Sequence, residues 1–168
     1  LNESDGSPWK GRIQPPNLKK TDQHTVRETS FVTSLKPVLT RSPLRIRPAD
    51  KVAPHLVEYW SVWQELIPEA FREPTGYVLM KTPGVFSLHR LAAFILRVCD
   101  KEGLPFSAAS FRRILSDLDP DFLSGEFWKS DNTKNGAAAY GSMKGFAVLT
   151  DMMQAALFDK GWDDDNED

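Results

Sequence analysis

Thr82-Pro83-Gly84-Val85-Phe86-Ser87-Leu88-His89-Arg90-Leu91-Ala92-Ala93-Phe94-Ile95-Leu96-Arg97-Val98-Cys99-Asp100-Lys101-Glu102-Gly103 is the stretch whose reading decides the fold. Val85, Leu88, Leu91, Ala92, Ile95 and Cys99 return every three or four residues, the spacing that lines one face of an α-helix. Thr82 stands as the cap, Pro83 as the first helical residue and Gly103 as the stop. His89 and Arg90 are expected together on the polar edge of this helix, with contact to a phosphate as the alternative reading. Cys99 is the single cysteine. Amid Leu96 and Val98 it reads as a small buried apolar side chain rather than a nucleophile. One cysteine excludes an intramolecular disulfide, which suits a reducing, cytoplasmic setting.

Helical grammar continues on both sides. Downstream, Ser107 caps a helix whose inner face is Phe111, Ile114, Leu115 and Leu118, and Asp119-Pro120 ends it. Residues 121–128 hold Phe122, Leu123, Phe127 and Trp128, too apolar for a free loop, so they should pack down as a short helical turn. After a polar loop over 130–141, Ser142 caps a last helix carrying Phe146, Leu149, Met152, Met153, Ala156 and Leu157. Gly161 closes it. Upstream, Val52, Leu56, Tyr59, Trp60, Trp63 and Ile67 predict a helix from about Asp50 to Pro68. Its tryptophans read as core, since each indole can bury on the order of 200 Å². Thr25 and Glu28 have the spacing of a capping box. Behind them, Phe31, Val32, Leu35, Val38 and Leu39 predict a helix that Pro37 kinks or ends. The expected fold is mainly α: about five helices in one domain over 25–160, with at most two short strands. Residues 1–24, punctuated by Pro15, Pro16 and Gly11, are expected to be irregular, and 161–168 to form a mobile acidic tail.

At 168 residues, 40% hydrophobic and 26% charged, the chain can bury a real core. The longest apolar tract, Leu91 to Leu96, is far below the ~20 residues a membrane span needs. Charge is unevenly spread. Residues 1–51 hold ten basic groups against five acids, an excess of +5, so the net −2 leaves −7 for the remainder. Five of those acids crowd between Asp163 and Asp168. A basic front suits nucleic-acid contact, and an acidic end suits solubilising or partner-mimicking charge; the alternative is a solvated loop and a disordered terminus.

Chemistry is sparse. The three histidines, His24, His55 and His89, are far apart in sequence, and no zinc, calcium, Walker or dinucleotide pattern occurs. No metal, cofactor or catalytic constellation is indicated. Gly141-Ser142-x-x-Gly145 with Lys144 is the nearest approach to a phosphate-binding helix start, and the same letters also make an ordinary capped helix.

The order of landmarks carries a resemblance. Leu1-Asn2 and Ser7-Pro8-Trp9-x-Gly11-Arg12-Ile13 come first. Thr25-x-x-x-x-Ser30-Phe31-Val32-x-x-Leu35-x-Pro37-Val38-Leu39 and Tyr59-Trp60 through Ile67-Pro68-Glu69 follow. Leu79-x-Lys81-Thr82-x-Gly84, Phe127-Trp128 and Tyr140-Gly141-Ser142-x-x-Gly145-Phe146 complete the series. In this order, from Leu1 to about Leu157, they resemble the C-terminal half of the DGQHR-domain proteins, the group that includes the DndB regulators of DNA phosphorothioation clusters. The Asp-Gly-Gln-His-Arg motif itself belongs to the family's N-terminal, ParB-like half and is absent from this sequence. Asp5-Gly6 and His89-Arg90 share letters with it at unrelated positions, so no motif residue carries over. A start at Leu1 without Met leads to the expectation that the other half lies upstream or on a partner chain. The resemblance implies a DNA-associated regulatory or accessory module of a modification or defence system. Lys10, Arg12, Lys19, Lys20, Arg41, Arg45 and Arg47 would then meet phosphates, with Gly141, Ser142 and Lys144 as an anion site. The alternative is a helical protein–protein interaction or structural domain that never touches DNA. A composite enzyme, with its catalytic residues upstream, is a third class.

Overall fold

The computed structural model describes residues 1–164. The central helix, α5 (Thr82–Lys101), is enclosed on nearly every side: between Gly84 and Cys99 only Phe86, Arg90 and Arg97 escape burial. Its start is not capped by Thr82. Lys81 holds the cap position in extended backbone with no side-chain hydrogen bond, and Thr82 is already helical. Gly84 is required by a close approach, since a Cβ there would lie 1.8 Å from the Leu79 carbonyl oxygen. Gly103 ends the helix in the left-handed region, φ +65°, as its position predicts.

Around α5 the remaining elements follow in order. β1 (Ile13–Gln14) and β2 (Val26–Arg27) form one small parallel sheet, pairing Ile13 with Val26 and Gln14 with Arg27. Then come α1 (Glu28–Ser34), α2 (Lys36–Arg41), α3 (Ala49–Leu66) and α4 (Pro68–Arg72). After α5 stand α6 (Ala108–Leu115), α7 (Gly125–Trp128) and α8 (Met143–Asp159). The result is a mainly helical single domain with five substantial helices, α1, α3, α5, α6 and α8. Helices α1, α2 and α8 pack on α5, and α3 packs on α6. Glu65 and Arg112 join α3 to α6 through paired 2.8 and 2.9 Å bonds, and Glu58 accepts the Ala108 N–H at 2.6 Å.

Several expectations are corrected. Thr25 makes no capping box: its N–H donates to the Arg12 carbonyl at 2.8 Å, the strand continues through Arg27, and the helix begins at Glu28. The chain then breaks at Leu35, before Pro37, which sits in the first turn of α2 where its missing N–H costs nothing. That break resets the helical phase. Val32 and Leu39, expected inside, are 57% and 42% exposed, whereas Ser34 and Val38 are buried. Pro68 stops α3 but also opens α4. Met152 is likewise half-exposed rather than core. The segment 1–24 is irregular apart from β1, yet it is not peripheral. Trp9 is fully buried and meets Phe31 and Trp60 edge-on, each at 4.8 Å between ring centres. Asn2 extends the sheet in place of backbone, accepting the Ile13 N–H and donating to its carbonyl, both at 3.0 Å.

The predicted turn over 121–128 is present as α7, with Trp128 buried and its indole N–H donating to the Phe122 carbonyl at 2.8 Å. Ser107 and Ser142 cap α6 and α8 as expected.

Candidate functional site

His89 does not share a polar edge with Arg90. It is fully buried among Phe31, Trp60 and Ser34. The Trp60 indole N–H donates to Nε2 at 3.0 Å, so Nε2 is the unprotonated nitrogen. The proton therefore sits on Nδ1, which donates to Ser34 Oγ at 2.8 Å, and Ser34 donates onward to the Phe31 carbonyl at 2.6 Å. Every partner is satisfied. A serine 2.8 Å from a histidine invites comparison with a nucleophile–base pair, but the proton here points the wrong way. A general base must accept from the hydroxyl, and this imidazole nitrogen is already a donor. Burial lowers the His89 pKa to about 3, so the ring stays neutral and structural. Burial likewise pushes the Cys99 thiol up to about 12, which leaves no reactive thiolate.

The other face of α5 carries the candidate site. Spacings of four, seven and four place Phe86, Arg90, Arg97 and Lys101 on one stripe. At its N-terminal end, α1, α2, α5 and the start of α8 enclose a groove of about 330 Å³. Lys36 and Arg41 line it from α2, Arg90 from α5, and Thr33 and Thr40 add hydroxyls. Phe86 stacks on Phe146 with ring centres 5.3 Å apart, and Met143 joins them on the wall. Among the described residues, no carboxylate lines this groove. Among the described residues, none of Lys36, Arg41 and Arg90 has an ion-pair partner. Like charges gathered without counter-charge raise the local positive potential and favour an anion.

The ten sequence-predicted site residues divide among several places. Arg41 lines the groove. Arg45 and Arg47 are exposed on a short 3₁₀ turn and its cap, and that turn packs against α2 and α5. Ser142 starts α8 beside Met143, with Gly141 and Lys144 exposed next to it. The Ser142 hydroxyl accepts the Gly145 N–H at 3.0 Å. Gly145 itself is small because a Cβ there would lie 2.8 Å from the Tyr140 backbone. Lys10 pairs with Asp5 at the surface. Arg12 donates to the Phe71 carbonyl at 3.2 Å, tying the N-terminal segment to α4. Lys20 lines a second groove of about 380 Å³ with Lys81, Asp22 and His24, and Lys19 is exposed beside it. Lys81 donates to the Thr75 carbonyl at 2.6 Å, and partial burial together with Lys20 lowers its pKa. The basic residues of the front thus form separate patches. Lys36, Arg90 and Arg97, absent from the expected set, are brought to Arg41 by the fold.

The far end of the stripe is occupied by the chain itself. Asp164 accepts from Arg97 Nε at 2.7 Å and Nη2 at 2.6 Å, and Asp163 pairs with Lys101. The Trp162 indole N–H donates to Asp117 at 2.7 Å, and the Arg113 guanidinium lies 5.3 Å from its ring centre. A mobile tail from 161 was expected, but residues 162–164 are held at several points. The rest of that tail, residues 165–168, lies outside the described residues.

Among the described residues, no three His, Cys, Asp or Glu side chains are grouped so as to hold a metal ion. No described helix is long and apolar enough to cross a membrane. No family model, curated protein or solved structure matches this chain.

Proposed function

We propose that this chain is a DNA-associated accessory module that meets the phosphate backbone through the groove at Lys36, Arg41 and Arg90. One observation carries the reading: three cations from two helices line one groove with no carboxylate among its described lining residues. Thr33 and Thr40 line the same groove, their hydroxyls donating to the Thr29 and Lys36 carbonyls at 2.7 and 2.8 Å, so the cations supply the phosphate contacts. The resemblance to the C-terminal half of DGQHR-domain proteins supports the same class, and makes the corresponding N-terminal half the expected partner. The proposed contact is with backbone charge, through which phosphates are met without reading base edges.

The test is binding of a labelled duplex to the full chain by fluorescence anisotropy across a salt series. Each phosphate contact contributes about 0.9 to the slope of log K against log salt. The combined variant Lys36→Gln, Arg41→Gln, Arg90→Gln should lower that slope by about 2 to 3. Absence of duplex binding at low ionic strength would sink the proposal.

A second reading, a helical protein-interaction domain, draws on Val148 and Met152. These lie one turn apart on α8 and remain exposed. It predicts that the charge variant binds DNA no differently from the unmodified chain.

A further inference from the structure

We propose that the acidic segment beginning at Trp162 is an intramolecular competitor for the basic stripe of α5, occupying part of the surface that DNA phosphates would use. The inference rests on the DNA-binding reading above and adds to it a built-in restraint. Three features argue for competition rather than for a tail that merely solubilises.

First, the carboxylates sit on the same stripe as the groove. Arg97, which holds Asp164 through Nε and Nη2, donates its Nη1 to the Arg41 carbonyl at 2.9 Å. The clamp on the acidic segment is therefore one hydrogen bond away from a groove-lining residue. Second, the contact is partly withdrawn from solvent. The Arg97 and Asp164 side chains are 21% and 14% exposed, so salt screens them less than an open surface pair. Third, the segment is anchored independently of its charge, by the Trp162 indole on Asp117 and under Arg113. The anchor sets the two aspartates opposite Arg97 and Lys101, and the sequence supplies three more carboxylates after Asp164. A run of carboxylates mimics a phosphate backbone in charge and in hydrogen-bond acceptors. A polyanion that takes Arg97 and Lys101 must displace it, so the segment and DNA are coupled negatively.

The experiment compares duplex affinity of the full chain with that of Asp163→Asn, Asp164→Asn by anisotropy at low ionic strength, with a thermal melt confirming that both are folded. Competition predicts a gain of about fivefold or more. It also predicts a salt slope steeper by about 1, as Arg97 becomes available to phosphates. Trp162→Ala, which releases the anchor and leaves every carboxylate in place, should shift affinity in the same direction. The control pair Asp121→Asn, Asp131→Asn removes the same charge from exposed sites elsewhere. An equal gain from the control would mean that net charge alone is responsible, and would overturn the competition. Equal affinity and slope for the unmodified and tail-substituted chains would also overturn it, while leaving the groove reading intact. No duplex binding by any form would end both proposals.

Discussion

His89 and Arg90 are neighbours in sequence and opposites in the fold. One is a neutral imidazole closed in by Trp60, Ser34 and Phe31, with both ring nitrogens occupied. The other is a guanidinium on a stripe of α5 that reaches solvent, with no ion-pair partner among the described residues. A rotation of about 100° between consecutive helical residues separates them. The lesson is that polarity in a sequence does not say whether a residue holds the core or meets a partner. The histidine spends its hydrogen bonds inward, and the arginine keeps its own available.

The largest effect is expected at His89. His89→Ala leaves the Trp60 N–H and the Ser34 hydroxyl buried with lost partners and opens a void. The expected loss is about 3 to 5 kcal/mol, read as a lower denaturation midpoint. The pH dependence comes next. The folded-state pKa of His89 lies near 3, below the unfolded value, so its neutral form is the stabilising one. That contribution is fully present above the ordinary histidine range and is lost as pH falls toward 3, because the unfolded chain binds the extra proton. Between pH 7 and 4 the loss should be on the order of 3 kcal/mol in denaturant titrations. His89→Gln should remove it, leaving a flatter profile over that range.

A smaller effect is expected at the start of α8. Ser142→Ala removes the hydroxyl that accepts the Gly145 N–H and should cost about 1 kcal/mol in thermal or chemical melts. Arg90→Gln should move stability least, by less than about 0.5 kcal/mol, while measurably weakening duplex binding. A large stability loss there would mean that Arg90 belongs to the core after all, and the contrast with His89 would collapse.

Much of the helical plan was legible because its signals are local. The apolar stripe of α5, the Ser107 and Ser142 caps, the Gly103 stop and the apolar turn around Trp128 each depend on residues within a few positions of one another. What misled was local grammar overruled from a distance. Thr25 and Glu28 spell a capping box, but the Arg12 carbonyl takes the Thr25 N–H and β1 draws the chain into a strand. Val32 and Leu39 keep helical spacing with Leu35, yet the break before Pro37 turns them outward. The candidate site was legible only in part. Arg41 was marked by its charge, but Lys36 and Arg90 become its companions only when α2 packs on α5.

By itself the sequence determined a mainly helical domain, a single cysteine that makes an internal disulfide impossible, and an excess of basic groups toward the front and acids at the end. Those follow from composition and from periodicities of three and four, which need no knowledge of distant partners. Only the tertiary structure decided that Trp9 belongs to the core, that His89 is a buried neutral hub, and that Asp163 and Asp164 rest on Lys101 and Arg97. Each of those outcomes depends on contacts between residues at least 22 positions apart, such as Trp9 with Phe31, and in most cases more than 50. Contacts of that range are set by how whole helices pack, because hydrogen bonding and burial are satisfied globally and not residue by residue.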